Sequence, residues 1–341
     1  MKEQVYNLWT KNQQKKILDK LSCDYRKSWS KSKLVGVLCT QPVEDVLDVL
    51  RSSDMEVLLD KLEVSSDGNK EERKQRLLKL LTDGESASAV EKIDFHLIEI
   101  PPGSFLMGAL YSDNHALDCE KPQHQVTLQK GIRVGKYPCT QKMYESVMGI
   151  NPSRYQDANR PVERVSWCDA ILFCNTLSAK EGLEPAYIVP KVFENEDDWS
   201  KEVTWNRDSN GYRLPTEAEW EYCARGGASH VYSGSNTIDE VAWYDDNSGD
   251  ETHPVGQKKA NGFGLYDMSG NVWEWTWDSW KRDYGDSISN PSFVDVKGDK
   301  RVFRGGSWSF DARHARVSFR LRFFASFRLP FVGFRLVKNL D

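Results

Sequence analysis

The sequence contains no long apolar run. No stretch approaches the ~20 consecutive apolar residues of a membrane-spanning helix, so no membrane span is expected. Met1–Leu21 is rich in lysine and lacks the apolar centre of a secretory signal peptide. Leu21-Ser22-Cys23 has the outline of a lipidation site, but no apolar stretch precedes it. Of the seven cysteines none follows Cys223, and none forms a C-x-x-C pair. Their spacing argues against a disulfide framework or a zinc site, and they read as reduced, buried small hydrophobes. The six histidines (His96, His115, His124, His230, His253, His314) are scattered, with none in residues 1–88. Each reads as a surface or hydrogen-bonded side chain rather than a metal ligand. The formal net charge of −5 gives no global attraction to nucleic acid or an anionic membrane.

What is present suits a soluble globular chain: 341 residues, 39% hydrophobic and 28% charged. That length predicts a large domain plus a smaller one. Residues 1–88 predict a small all-α module. Leu18, Leu21, Leu34, Val35, Leu38, Val43, Val46, Leu47 and Leu50 recur at spacings of three and four, and Pro42 is placed to start a helix. Residues 58–81 read as helix, turn, helix around Gly68-Asn69-Lys70. They resemble the SAP-type hairpin, although Glu63 stands where that hairpin usually has glycine. Acidic and basic residues nearly balance there, so a spacer or interaction module is expected and nucleic acid is not. Asp83–Ala89 reads as a small-residue linker, with the large domain starting near Ile93.

In the large domain, Phe95–Gly108 reads as strand, Pro-Pro-Gly turn and strand, and Glu120–Leu128 as a further strand. Thr140 and Ser166 are placed to cap helices, the second running from Trp167 to Leu177. In Leu214-Pro215-Thr216-Glu217-Ala218-Glu219-Trp220, Thr216 and Glu219 form a capping box, with Trp220 and Ala224 on the buried face. Gly270-Asn271-Val272-Trp273-Glu274-Trp275 reads as a strand, with Trp273, Trp275 and Trp277 on one face and Val272, Glu274 and Thr276 on the other. The tryptophan row suits a core. Glu274 suits either a buried hydrogen-bond anchor, the favoured role, or a calcium ligand.

Five segments follow in order: Pro161-Val162-Glu163-Arg164-Val165-Ser166-Trp167, Gly211–Gly227, Asn261–Trp275, Arg304-Gly305-Gly306-Ser307-Trp308 and Gly333-Phe334-Arg335-Leu336. Together, over about residues 93–341, they resemble the formylglycine-generating enzyme (sulfatase-modifying factor) family. The resemblance implies an α+β, elaborated C-type lectin-like domain with much irregular chain. It permits a structural calcium and implies no other cofactor. Enzymes of this family use two reactive cysteines shortly after the Gly-Gly-Ser-aromatic turn; here Phe310 and Ala315 stand in that neighbourhood. Without a thiolate there is neither nucleophile nor copper ligand of that type. The iron-dependent relatives need a histidine-rich helical domain in front, and residues 1–88 hold no histidine. No Glu-Pro-Asn or Gln-Pro-Asp triplet supports calcium-dependent sugar binding.

Residues 309–331 are aromatic and arginine-rich, with neither helical period nor sustained alternation, and lack Lys, Glu, Gln, Met and Trp. Family members often carry an asparagine-rich pattern here. Its framework positions Ala312, Arg313, Arg316, Arg320, Arg328 and Gly333 remain. Where asparagine would stand are Ser309, Phe310, Asp311, His314, Phe319, Leu321, Arg322, Phe323, Phe324, Phe327, Leu329, Pro330 and Phe331. Each can arise from AAC or AAT by changing adenines alone; the five missing residue types cannot. The segment therefore resembles the variable region of proteins diversified by retroelements, those of treponemes in particular. That resemblance implies a ligand-binding, non-enzymatic, receptor- or adhesin-like role with the thirteen substituted positions lining the site. The scaffold would comprise Gly305, Gly306, Trp308, Arg313, Arg316, Arg320, Arg328, Trp273 and Glu274. The ligand would be a macromolecule, a protein by preference, and surface display would follow from the resemblance. The alternative is a formylglycine-generating-type oxidase, or a degenerate relative of one. Six phenylalanines on loop-like chain would make an exposed apolar patch, held by the framework arginines.

Overall fold

The computed structural model describes residues 6, 9, 11–21, 43–62, 66–86, 94–190, 195–284, 298 and 300–340. The chain divides into two compact units, residues 1–93 and 94–341. In the first lie α1 (Lys11–Lys20), α2 (Val43–Asp48), α3 (Ser52–Lys61) and α4 (Lys70–Ser86). Leu18, Val46, Leu47, Leu50, Leu58, Leu59 and Leu77 are buried together with Tyr6 and Trp9, so the three-and-four spacing carries that core. Asn69 starts α4: its side-chain oxygen accepts from the N–H groups of Glu71 (3.0 Å) and Glu72 (3.1 Å). A linker from Asp83 is corrected, because α4 continues through Ser86; a glycine such as Gly84 costs about 1 kcal/mol in a helix and does not by itself end one. Leu34, Val35, Leu38, Pro42, Glu63 and residues 87–89 lie outside the described residues. No helix among the described residues is long and apolar enough to cross a membrane.

The second unit mixes small sheets, helices and irregular chain. One sheet has the order β1 (Leu97–Ile100), β4 (Ile132–Gly135), β12 (Val337–Asn339), β7 (Tyr212–Arg213). The other has β10 (Arg320–Phe324), β9 (Lys300–Arg304), β8 (Trp273–Ser279), β11 (Val332–Phe334). Two ribbons pair β2 (Gly103–Met107) with β3 (His124–Leu128), and β5 (Tyr187–Ile188) with β6 (Thr204–Trp205). Both strands flanking Pro101-Pro102-Gly103 form, yet they do not pair with each other: β1 lies against β4 and β2 against β3. The turn hands the chain from one sheet to another, as suits two prolines without N–H groups.

The helices are α5 (Gln141–Met148), α6 (Trp167–Lys180), α7 (Glu196–Glu202), α8 (Glu217–Arg225) and α9 (Ile238–Val241). Thr140 caps α5 by accepting from the Met143 N–H, and Ser166 with Asp169 and Thr216 with Glu219 form reciprocal capping boxes on α6 and α8. Every residue of α8 from Glu217 to Ala224 is buried, carboxylates included. In β8 both faces are buried, with Trp273, Trp275 and Trp277 no more than 1% exposed, which makes the row core.

Candidate functional site

The segment after β9 is held by a fixed frame. The chain leaves Arg304 through Gly305 (φ 100°) and Gly306 (φ 75°). A Cβ on Gly305 would stand 3.0 Å from the Trp220 ring, and one on Gly306 2.9 Å from Ala315, so both positions demand glycine. The Gly305 carbonyl accepts from the Gly270 N–H (2.7 Å) and the Trp308 N–H donates to the Asn271 carbonyl (2.9 Å). The Trp308 indole reaches across to the Pro330 carbonyl (3.0 Å), closing the segment at its far end. Along the segment the backbone bonds to Asp245, Val231, Trp167, Arg164 and Trp273 through Phe310, Val317, Ala325, Leu329 and Phe331.

Buried arginines add the charged part of the frame. Arg316 donates to both oxygens of Glu120 (2.9 and 2.7 Å) and to the His115 carbonyl (3.1 Å). Arg320 donates to both oxygens of Glu217 (2.7 and 2.6 Å) and to the Cys119 carbonyl (3.1 Å). Arg328, itself exposed, bridges Asp169 (2.6 Å) and Glu196 (3.0 Å). Arg304 pairs with Glu221 and donates to the carbonyls of Val317 (3.1 Å), Ser318 (3.3 Å) and Phe319 (3.0 Å). Burial alone would push the Glu221 carboxyl up; Arg225 and Arg304 bring it below its ordinary range. Arg313 departs from this pattern. It is exposed and pairs with Asp311 of its own segment (2.7 Å), so it does not tie the segment to the frame.

The substituted positions are mostly not buried. Phe319 alone is buried, 5% exposed, against the rings of Trp273 and His314; the other twelve are half-buried or exposed. Phe319 is thus core and not part of an open face, because it sits between the buried Ser318 and Arg320. Ser309 and Asp311 flank Phe310, whose ring meets Phe331 (5.1 Å), His314 (5.1 Å) and Trp273 (5.5 Å). A second group joins Phe323, Phe324 and Phe327, with Phe327 4.7 Å and 5.5 Å from the other two. The run is not all loop: Leu321, Arg322, Phe323 and Phe324 lie on β10, and Ala312–Ala315 form a short 3-10 turn. Leu329 and Pro330 lead into β11, and Arg322 lies over Trp280, 4.6 Å from the ring centre. Arg313 and the neighbouring His314 hold the Asp311 carboxyl well below the usual range.

Glu274 is a hydrogen-bond anchor. It accepts from Arg335 (2.8 and 3.1 Å) and from the Trp220 indole (2.7 Å), all buried. The guanidinium fills the place a cation would take, so these residues do not fit a calcium ion. Among the described residues no group of three or more His, Cys, Asp or Glu could hold a metal. Cys139, Cys168, Cys174 and Cys223 are buried, and burial pushes each thiol up, away from a reactive thiolate. Sequence reasoning missed Arg304, Glu120, Glu217 and Trp280 as parts of the site. Only Arg304 carried a signal, its place at the Gly-Gly turn.

A family profile for the sulfatase-modifying factor enzyme 1-like domain matches residues 85–340. Chaperone protein LppX of Paenibacillus barcinonensis is 43% identical over 234 residues, 60% of this chain and 79% of that protein. Inactive C-alpha-formylglycine-generating enzyme 2 of Mus musculus is 30% identical over 66% of this chain and 80% of its own length. The mouse formylglycine-generating enzyme is 32% identical, but the match spans only 47% of this chain and 38% of the enzyme. Among solved structures, Treponema denticola variable protein 1 superposes with a TM-score of 0.65 at 34% identity, over 74% of this chain and 98% of that one. With that fold and these relatives, the chain belongs to the sulfatase-modifying factor (formylglycine-generating enzyme) family, on a C-type lectin-like fold shared with a treponemal variable protein.

Proposed function

We propose that residues 309–331 form a variable ligand-binding face on a fixed frame, and that the domain binds a macromolecule, by preference a protein, without catalysing a reaction. The observation that carries this is the partition within one segment. The thirteen positions at which the family pattern has asparagine are half-buried or exposed, Phe319 excepted, while Arg316, Arg320 and the Gly305-Gly306 turn are buried and paired. A rigid scaffold presenting replaceable aromatic and arginine side chains is how recognition loops combine contact area with tolerance to change. The buried thiols, and the lack of any cysteine after Cys223, weigh against oxidase chemistry. Relatives named as a chaperone, an inactive enzyme and a variable protein fit a binding role.

Deep sequencing of codons 309–331 across a population of the source cells tests the reading, with codons 261–275 as control. Variation should concentrate at the thirteen substituted codons, with third bases fixed and the control silent. Uniform codons, with no nearby template repeat carrying AAC or AAT, would remove diversification. Copper-dependent oxidation of a cysteine-containing peptide by the purified chain would restore the oxidase reading.

A further inference from the structure

The arginines of residues 309–331 differ in one respect. Arg313, Arg316, Arg320 and Arg328 each face a carboxylate: Asp311, Glu120, Glu217, and Asp169 with Glu196. Arg322 pairs with no carboxylate among the described residues. Its guanidinium lies over Trp280 and lines a cleft of about 550 Å³ with Trp280, Arg282, Gly298 and Lys300. Three of these five residues are cationic and none is acidic. Glu217 gives both oxygens to Arg320, which also lies 4.6 Å from the Trp280 ring. The one acid of the segment, Asp311, is paired with Arg313. Among the described residues the lining of the cleft is cationic against an aromatic wall, an arrangement that concentrates anions.

Position adds a second constraint. Arg322 and Phe324 lie on β10, the edge strand of its sheet, opposite Val302 and Lys300. The Lys300 ammonium lies 4.8 Å from the Phe324 ring, so the cleft borders the Phe323, Phe324 and Phe327 group. An occupant must bring a carboxylate and an apolar side chain within a residue or two of each other.

We infer that this cleft binds the carboxylate of an acidic peptide segment, with a neighbouring apolar side chain of the same segment on the phenylalanine group. The inference rests on the binding-face reading above. The planar fork of Arg322 matches a carboxylate in two parallel hydrogen bonds, and Lys300 supplies a second charge. A free anion would satisfy the charges and leave the phenylalanines unused.

The test pans a random-sequence peptide library against the full chain and the Arg322→Ser chain in parallel. Peptides selected on the parent should be enriched in Asp or Glu beside Phe, Leu or Trp. They should bind the parent about tenfold or more tighter than the Arg322→Ser or Lys300→Gln chain, and millimolar inorganic phosphate at constant ionic strength should not displace them. Selected peptides without acidic enrichment that bind Arg322→Ser equally well would overturn the inference. If those peptides still lose affinity with Phe327→Ser, the binding face stands and only its charge reading falls. Peptides indifferent to all three positions, or no selected peptide at all, would count against both readings. Displacement by phosphate would reassign the cleft to phosphate and overturn the peptide.

Discussion

Arg316 and Arg322 belong to one segment and meet opposite surroundings. Arg316 is buried, gives its donors to Glu120 and a carbonyl, and fixes where the chain runs. Arg322 is exposed over an indole and holds no backbone group among the described residues. The same contrast separates the two phenylalanines Phe319, packed on Trp273, and Phe327, 41% exposed. The difference shows that residue type does not mark the frame: arginine and phenylalanine serve on both sides. Frame positions are those whose side chains meet a committed partner elsewhere in the fold.

The largest expected effect sharpens this on the arginines. Arg316→Ala leaves Glu120 buried without its countercharge and should cost about 3–5 kcal/mol by denaturant unfolding. Arg322→Ala should stay within about 0.5 kcal/mol. Equal losses would break the distinction. The phenylalanines give the next step down. Phe319→Ser removes a core ring and should cost about 3 kcal/mol or more, whereas Phe327→Ser should cost less than about 1 kcal/mol.

A smaller effect concerns pH. Burial pushes the Asp267 carboxyl up to about 6 from its ordinary 3.8, partly opposed by the Gly256 N–H donor (2.7 Å). Because the folded state holds this proton more tightly than the unfolded chain, its contribution is fully present below about 3.8 and is lost as pH rises through about 6. Asp267→Asn keeps an acceptor for Gly256 and removes the titration. Its Tm relative to the parent should therefore rise between pH 4 and pH 7. A parallel pH profile for the two chains would show that Asp267 does not titrate in this window.

Local features of the fold were legible because their causes are local. Thr140, Ser166 with Asp169, and Thr216 with Glu219 cap the helices their spacing predicts, since a capping bond spans only three residues. Strand pairing was not legible: β1 and β2 are joined by Pro101 and Pro102 alone yet belong to different sheets, and nothing in their alternation names a partner. The frame was half legible. The Gly-Gly turn and the regular arginines stood out, but their carboxylates Glu120, Glu217 and Glu221 come from distant parts of the chain. The family's asparagine pattern singles out the substituted positions and carries no direction, so it could not separate Phe319 from Phe327. Arg313 kept the framework pattern while its side chain pairs within the segment.

The most direct test randomises the thirteen substituted codons of 309–331 as NNY on the displayed full chain, beside a matched library of Arg304, Arg316, Arg320 and Gly306, and sorts both for protease resistance. Most members of the first library should stay resistant, with selection back toward apolar residues at 319, and the second library should collapse onto the parent residues. Equal tolerance in the two libraries, or collapse of the first across positions 321–331, would contradict a replaceable face on a fixed frame.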